Sequence, residues 1–363
     1  MRAKEKFPAE AAKVTLSHVA AAARVSKATA SNVFSRPERV RDSLRQRVEE
    51  AARLLGYAGP DPKGRLLSSG KVNAIGVVPP AAFGISLFFK DPYTQLFLAG
   101  VSEVCEEHGV GLSLVSGRDD QAAWGIRTAL VDGFILNDVG QVDFIAPARR
   151  AHMPIVVMGP DGGPHASSVS VTGEASMRQL TEYLLGLGHR RFLIAVALNE
   201  FRPPVFHPAG RNRTLVAPIA VPERFAGVAA ALDAAGLSLD AMPIVEACGT
   251  PEEEAAFGNG VDLLLDNLGD ATAVIALNDK LALAILDRAP RRGLSVPRDF
   301  SVTGFDGVAE SAISNPPLTT AVQPVKEVGA TAARLLLEGG PPRHVTLPVE
   351  LAIRGSTGPA RHH

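Results

Sequence analysis

The feature that most constrains the fold is a regular alternation of short apolar runs and amphipathic segments from about residue 73 onward. The runs have the length and composition of buried strands, and the segments between them have helical periodicity. Strands that alternate with helices form parallel sheets joined by crossover helices. We expect strands at 74–78, 111–115, 133–136, 155–158, 192–197, 244–247, 273–277 and 301–304, and helices at 93–108, 175–187, 223–235, 252–267, 280–292 and 325–337.

The size of this alternating region allows either one large sheet or two lobes. The chain has 363 residues, which is more than one hydrophobic core usually supports. Two lobes of about 130 to 140 residues each, with a cleft between them, agree better with the usual size of domains than a single sheet does. The predicted fold class for this region is therefore a two-lobed α/β domain with parallel sheets.

Charge is distributed unevenly along the chain. Residues 1–71 carry 15 Lys and Arg against 7 Asp and Glu, a net charge of +8, whereas the remaining residues carry a net charge of −9. A basic head on an acidic body is typical of a polyanion-binding module joined to a separate domain. A solvated basic tail is the alternative that charge alone leaves open.

Three short helices are predicted within this basic head. The first begins after Thr15 and the second after Ser26, because both residues are good N-caps, and the third ends at Gly56, a typical C-cap. Two short helices that meet at a tight turn before a third indicate an all-α helix-turn-helix, although an ordinary three-helix bundle has the same periodicity. The expected core consists of Leu16, Val19, Val25, Val33, Leu44, Val48 and Leu55.

The second helix presents small and polar side chains on its outer side. Cationic and hydrogen-bonding groups near the start of a helix can contact base edges in the major groove of DNA, while the helix N-terminus approaches a phosphate. We therefore predict major-groove contacts from Lys27, Ala28, Thr29, Ser31 and Asn32.

Residues 14–34, V-T-L-S-H-V-A-A-A-A-R-V-S-K-A-T-A-S-N-V-F, followed by A-A at 51–52 and L-G-Y at 55–57, resemble the DNA-binding head of lactose-repressor (LacI) family regulators. The resemblance implies that the second helix reads bases and that Thr15 and Ser26 contact the DNA backbone. Asn32 stands where the family commonly has Arg. Because Asn suits adenine and Arg suits guanine, we expect the operator to differ from the common half-site at that base pair.

Residues 60–71 connect the head to the large region and are rich in Pro and Gly, which normally indicates a flexible connector. Asp61 followed by Pro62 is nevertheless a good start for a short helix. The run G-R-L-L-S-S-G at 64–70 resembles the hinge helix of the same family. The resemblance implies that Arg65 and Leu67 act in the minor groove, with Leu67 as the wedge between bases.

Several runs of the large region, including A-I-G-V-V-P at 74–79, E-R-F-A-G at 223–227 and V-T-G-F-D at 302–306, resemble the LacI-family effector domain, which is similar to periplasmic sugar-binding proteins. The resemblance implies that Arg224, Asn278 and Asp306 line the cleft and bind a small polyol-like ligand. A bidentate donor, an amide and a carboxylate suit hydroxyl groups. From the residues alone, Asp306 could instead cap a turn and Arg224 could pair with Glu223. Departures from the family pattern at 159, 172–176 and 199–222 leave the ligand open, and it need not be a sugar.

No motif indicates an enzyme. The sequence lacks G-x-x-x-x-G-K-[ST], H-E-x-x-H and G-x-S-x-G, so no catalytic residue and no cofactor are predicted. No cluster of Cys and His has the spacing of a metal site, and Cys105 and Cys248 are interpreted as two small core residues. No apolar run reaches the roughly 18 residues of a membrane span.

The sequence thus predicts a homodimeric, ligand-responsive transcriptional regulator, most simply a repressor, that binds a pseudo-palindromic DNA operator in the cytoplasm, at the nucleoid. The effector would be a sugar, a polyol or a nucleoside-like molecule. The predicted parts are a flexible arm (1–13), the helix-turn-helix domain (14–59), the hinge (60–71), the two-lobed domain (72–358) and a tail (359–363). The alternative is a transport-type binding protein without a DNA role, which would need an export signal and no basic head.

Overall fold

A computed structural model of the chain divides into two compact units, residues 1–72 and 73–363. The structure describes residues 14–59, 71–80, 84–116, 125–137, 153–160, 162–198, 203–210, 221–248 and 254–361. The predicted arm and the hinge residues Arg65 and Leu67 lie outside the described residues. Within the described part, no helix is long and apolar enough to cross a membrane.

The first unit contains helices α1 (Leu16–Ala22), α2 (Lys27–Ser35) and α3 (Asp42–Leu55). The predicted caps are confirmed: Thr15 and Ser26 are the N-caps of α1 and α2, and Gly56 ends α3 in the left-handed conformation at φ 67°. That conformation is open to glycine because it lacks a Cβ. The three helices therefore end where the local sequence predicts.

The core of this unit is made mainly of alanine and valine side chains: Val19, Ala20, Ala23, Ala30, Val33, Val48, Ala51 and Ala52. Leu16 and Val25 pack against it partly buried. The prediction for Leu55 is wrong, because 38% of this residue is exposed. Tyr57 packs against this core instead and contacts Phe34 edge-on, with 5.6 Å between ring centroids.

The second unit alternates strands and helices, as predicted. In chain order its elements are β1 (Ala74–Val78), α4 (Gly84–Phe88), α5 (Pro92–His108), β2 (Gly111–Leu114), β3 (Phe134–Leu136), β4 (Ile155–Met158), β5 (Ser167–Val171), α6 (Gly173–Gly186), β6 (Phe192–Leu198), β7 (Val205–His207), α7 (Val221–Ala234), β8 (Ile244–Cys248), α8 (Glu254–Asp266), β9 (Ala273–Ala276), α9 (Asp279–Arg288), β10 (Ser301–Asp306), α10 (Ala309–Ile313), β11 (Thr319–Val322), α11 (Val325–Glu338), β12 (His344–Leu347) and β13 (Glu350–Ala352).

These strands form two sheets, and each sheet is the centre of one lobe. Lobe 1 has the order β12-β5-β4-β3-β1-β2, with every pair parallel. Lobe 2 has the order β13-β11-β10-β9-β6-β8-β7, in which β7 and β13 are antiparallel edge strands and the others are parallel. The two-lobed α/β fold is therefore confirmed. The sequence analysis missed β5, β7, β11, β12 and β13.

Each lobe contains a pair of helices in backbone contact. In lobe 1, α5 crosses α11 at Gly329, where a Cβ atom would lie 2.1 Å from the carbonyl oxygen of Phe97. In lobe 2, α6 crosses α7 at Gly227, where a Cβ would lie 2.2 Å from the carbonyl oxygen of Glu174. Only glycine fits at such crossings, so these two positions fix how closely the helices pack.

The chain passes between the lobes three times: between β5 and α6, between β11 and α11, and between β12 and β13. The first and third passages are hydrogen-bonded to each other. The N–H of Thr172 donates to the carbonyl of Leu347 at 3.0 Å, and the N–H of Val349 donates to the Thr172 hydroxyl at 3.0 Å. The second passage runs through Gln323 and Pro324.

Candidate functional site

The outer face of α2 presents the residues that the sequence analysis selected. Lys27, Ala28 and Asn32 are exposed, and Thr29 and Ser31 are partly buried. The side chains of Lys27 and Asn32 make no hydrogen bond or ion pair with any residue that the structure describes. An ammonium group and an amide on the same exposed helix face can bind phosphate oxygens and base edges.

The start of α2 is fixed by its own cap. The Thr29 N–H donates to the Ser26 hydroxyl at 3.0 Å, and the hydroxyls of Ser26 and Thr29 lie 2.8 Å apart. Thr15, at the start of α1, is exposed, and its N–H donates to Nδ1 of His18 at 3.3 Å. The candidate backbone-contacting residues are therefore both helix caps, and helix N-termini favour anions.

The turn between α1 and α2 is held by an arginine that sequence reasoning missed. Arg47, on α3, donates from Nη2 to the carbonyl oxygens of Ala23 and Arg24. Arg24 has a positive φ of 51°, which is uncommon for a residue with a side chain. Arg47 thereby ties the turn to α3. No local sequence signal indicates this contact, because the two partners are 24 residues apart.

A cavity of about 260 Å³ lies between the two lobes of the second unit. It contains all three residues that the family resemblance selected. Arg224 comes from the first turn of α7, Asn278 from the segment between β9 and α9, and Asp306 from the end of β10. Lobe 1 also contributes Phe88, Asp91, Tyr93, Asn137 and Met158 to the lining. Lobe 2 contributes Glu223 and Lys280, and the passage after β11 contributes Gln323.

Arg224 and Asp306 face each other in the lining of this cavity. Nη2 of Arg224 lies 3.6 Å from Oδ1 of Asp306, and its side chain is 16% exposed while that of Asp306 is 13% exposed. The guanidinium also donates to the carbonyl of Leu277 and stacks on the ring of Phe305, with 3.9 Å from Cζ to the ring centroid. These contacts hold the planar guanidinium in one orientation, which is what bidentate recognition of neighbouring hydroxyls requires.

Asp306 is held from a second side by Gln323, whose Nε2 donates to Oδ1 at 2.7 Å. Burial is the main cause that raises the pKa of Asp306 to about 7; the charges of Asp279 and Asp91 act in the same direction, and Arg224 and the Gln323 hydrogen bond oppose the shift. The second carboxylate oxygen makes no hydrogen bond with a described residue. Asp306 can therefore accept a hydrogen bond from a ligand hydroxyl with this oxygen.

Asn278 lines the cavity and also caps a helix. Its Oδ1 accepts a hydrogen bond from the N–H of Leu281 at 2.9 Å and so caps α9. The cap uses the carbonyl end of the amide. The NH₂ end is the one that can donate to a ligand.

Lobe 1 contributes residues that sequence reasoning missed. Asp91 is the N-cap of α5 and uses Oδ2 to accept from both the N–H and the hydroxyl of Thr94, each at 3.0 Å. Tyr93 is partly buried, and burial raises the pKa of its hydroxyl, so it remains a neutral donor. The D-P-Y-T run at 91–94 is a readable helix start, but nothing in it indicates a binding residue.

The arrangement suits binding rather than catalysis. Amide, guanidinium, carboxyl and phenol groups converge with aromatic and aliphatic walls, which is the composition of a small-molecule pocket. Burial also raises the pKa of the Glu223 carboxyl and lowers that of the Lys280 ammonium. Within the described part of the chain, no group of three or more His, Cys, Asp or Glu side chains is placed to hold a metal ion.

Two protein families match this chain. Residues 15–59 match the family described as bacterial regulatory proteins, lacI family, and residues 181–357 match the periplasmic binding protein-like domain. An HTH-type transcriptional regulator of Mycobacterium tuberculosis is 37% identical over 96% of this chain and 98% of the relative. The HTH-type transcriptional repressor CytR of Escherichia coli K12 is 30% identical over 94% of this chain and 96% of the relative.

The fold is also similar to that of solved regulators. The crystal structure of the Lac repressor dimer bound to operator and the anti-inducer ONPF has a TM-score of 0.71 and 23% sequence identity. The match covers 95% of this chain and 99% of that chain. The likeness thus extends over the helix-turn-helix unit and the two-lobed unit.

Proposed function

Since this chain belongs to the LacI family of bacterial transcriptional regulators, we propose that it is a repressor whose affinity for operator DNA is set by a small molecule in the cavity between its lobes. Membership confirms the prediction of a regulator rather than an enzyme. It also favours a regulator over a transport-type binding protein, because such a protein has no use for a helix-turn-helix head. The observation that carries the proposal is the interlobe cavity around Arg224 and Asp306 in a chain that also has this head.

On the DNA side, we assign α2 to the major groove, with contacts from Lys27, Ala28, Thr29, Ser31 and Asn32. The exposed Lys27 and Asn32 side chains support this assignment, because they have no competing partner among the described residues. Thr15 and Ser26 would contact the phosphate backbone through the exposed helix starts. Two heads related by two-fold symmetry would read a pseudo-palindromic operator, and Arg65 and Leu67 of the two hinges would enter the minor groove at its centre.

On the effector side, we assign Arg224, Asn278 and Asp306 to the ligand. Arg224 and the amide NH₂ of Asn278 donate, and the open oxygen of Asp306 accepts, so a ligand with neighbouring hydroxyls satisfies all three. Sugars, polyols and nucleosides share this chemistry. Their apolar faces would pack on walls such as Phe88 and Met158.

Coupling between the two sites follows from the position of the cavity. A ligand that contacts both lobes favours the arrangement in which they are closed, and it shifts the equilibrium by its difference in affinity for the two arrangements. In regulators such coupling is typically about 1 to 3 kcal/mol. In a homodimer, rotation of the lobes would change the spacing of the hinges and hence the fit to the operator. The site of action would be chromosomal DNA in the cytoplasm.

The test is a selection of bound duplexes from a random pool by the full chain, followed by binding titrations with and without a panel of sugars, polyols and nucleosides. We expect a two-fold symmetric, salt-sensitive site whose affinity changes with one class of compound. Asp306→Ala should lose the response to the compound and keep the DNA affinity, whereas Asn32→Ala should change the preferred base at one position per half-site. Failure to enrich any symmetric duplex, with or without compounds, would contradict the proposal.

A further inference from the structure

Asp279 is a completely buried carboxylate that takes no part in the cavity surface. It follows Asn278 directly and is the first residue of α9. Its Oδ2 accepts hydrogen bonds from the N–H groups of Gly307 at 2.7 Å and Val308 at 3.0 Å, and its Oδ1 accepts from the hydroxyl of Thr320. The carboxylate thus connects the residues that follow β9 and β10 with Thr320 of β11, which lie on three neighbouring strands of lobe 2.

The segment that Asp279 holds is strained. Asp306 has φ 130° and Gly307 has φ 75°, two consecutive residues in conformations that favour glycine. A Cβ on Gly307 would lie 2.6 Å from Cγ1 of Val322, so the turn is also pressed against the next strand. A non-glycine residue keeps such a conformation only where surrounding contacts hold it. Asp279 provides two of those contacts on the residues immediately after Asp306.

The neighbouring strand leaves space for this carboxylate. A Cβ on Gly304 would lie 2.2 Å from Oδ1 of Asp279, so any larger residue in that position of β10 would displace the carboxylate. Burial raises the pKa of Asp279, and its hydrogen bonds to Thr320, Val308 and Gly307 oppose the shift. A buried carboxylate is costly to keep, and two of the hydrogen bonds that offset the cost, those from the N–H groups of Gly307 and Val308, hold the turn after Asp306.

We propose that Asp279 is a positioning residue for the effector site, which holds the turn after β10 so that the Asp306 carboxylate faces Arg224, Gln323 and the ligand. Because Asp279 is adjacent to Asn278, the same short segment supplies one ligand contact and orients another. The inference rests on the proposed function, in which Asp306 binds the effector. It assigns the orientation of Asp306 to a residue that does not touch the ligand.

The first test needs no ligand. Crystal structures and hydrogen–deuterium exchange of the full chain are compared for the wild type, Asp279→Ala and Asp279→Asn. In Asp279→Ala we expect exchange at the amides of 307 and 308 to rise by about tenfold or more, and the Asp306 carboxylate to leave Gln323. Asp279→Asn keeps a carbonyl oxygen that can accept from both amides, so it should restore the protection and the position of Asp306.

Asp299→Ala is the matched control. Asp299 also accepts a hydrogen bond from a backbone N–H of lobe 2, that of Ser295 at 2.6 Å, but away from the cavity. It should leave residues 306–308 unchanged. If Asp279→Ala does not fold, Thr320→Val removes one donor to Asp279 and should move Asp306 in the same direction by less. The inference is overturned if Asp306 keeps its position in Asp279→Ala. If only Thr320→Val folds, an unchanged Asp306 in that variant overturns it instead. An equal change at residues 306–308 in Asp299→Ala overturns it as well.

The second test separates this inference from the proposed function. The thermal shift of the full chain is measured with D-ribose, cellobiose and adenosine for the wild type, Asp306→Ala, Asp279→Ala and Asp279→Asn. We expect both alanine variants to lose the shift that the wild type gives and Asp279→Asn to retain it. Loss in Asp306→Ala but not in Asp279→Ala overturns the positioning role and leaves the site in place. A wild-type shift retained in Asp306→Ala means that the effector site itself is wrongly assigned, whatever the ligand-free structures show.

Discussion

The two lobes have the same architecture but contribute differently to the cavity between them. Lobe 2 supplies Glu223, Arg224, Lys280 and Asp306, four charged side chains, whereas lobe 1 supplies one among the described residues, Asp91. The rest of the lobe 1 surface consists of neutral polar groups and apolar walls. Charged groups in a buried site need fixed partners, and the partners of Arg224 and Asp306 are on lobe 2 or on the passage that leaves it. Under the proposed function, we therefore expect lobe 2 to provide most of the recognition and lobe 1 to cover the bound ligand.

Arg224→Ala is expected to have the largest effect on ligand binding, and it tests whether recognition resides on lobe 2. The change removes the cation that faces Asp306 and leaves that carboxylate buried beside Gln323. Truncating the charged partner of a buried interaction costs about 2 to 5 kcal/mol, so ligand affinity should fall by about thirtyfold or more. The measurement is a calorimetric titration with whichever sugar, polyol or nucleoside shifts the melting temperature of the wild type.

The matched variant on lobe 1 is Asn137→Ala, which removes a neutral cavity-lining side chain. A neutral hydrogen bond contributes about 0.5 to 1.5 kcal/mol, so the loss should be about threefold to tenfold. Equal losses in the two variants would show that recognition is shared between the lobes.

The next prediction tests whether the helix crossings of the two lobes contribute equally to stability. Gly329→Ala in lobe 1 and Gly227→Ala in lobe 2 each place a Cβ against a backbone carbonyl at a helix crossing. Overpacking of this kind costs about 1 to 3 kcal/mol, and both variants should lower the midpoint of denaturant unfolding by similar amounts. Gly186→Ala on α6 is the control, because a Cβ there meets nothing within 4 Å, and it should be neutral or slightly stabilising. A loss in only one lobe would mean that the two crossings are not equivalent.

The smallest expected effect concerns pH. Because the pKa of Asp306 is raised to about 7, the folded chain keeps a proton that the unfolded chain has already lost at a lower pH. The resulting stabilisation is complete below the ordinary pKa of Asp, about 4, and is lost as the pH rises through about 7. Asp306→Asn removes this dependence, so its melting temperature should rise relative to the wild type between about pH 5 and about pH 8. A difference that is constant with pH would place the titrating group elsewhere.

Local sequence signals predicted the elements that have strong periodicity and clear caps. The start of α2 after Ser26 and the end of α3 at Gly56 follow from single residues, and β1 and β4 have the predicted bounds. The strand β11, T-T-A-V, was missed because its buried threonines look like loop residues. Thr319 and Thr320 are tolerated there because their hydroxyls are bonded to the Arg354 carbonyl and to Asp279.

The candidate site was predictable only in part, for a similar reason. Arg224, Asn278 and Asp306 belong to runs that resemble the family, and the structure brings them into one cavity. Tyr93 lies in that cavity without any motif. Gln323 and Asp279 belong to runs that resemble the family, at 316–324 and 276–279, but those runs do not indicate their contacts, and the partners of Asp279 are 28 and 41 residues away. Distant pairings of this kind arise from the order of strands in the sheet, which local patterns do not specify.

The bond between the first and third interlobe passages limits how the lobes can move. Since Thr172 is tied to both Leu347 and Val349, these two passages act as one pivot, and the passage at Gln323 and Pro324 acts as a second. Two pivots define a single rotation axis. We therefore expect the lobes to open and close by rotation about this axis, so that a ligand favouring one angle by a few kcal/mol would set the orientation of a whole lobe.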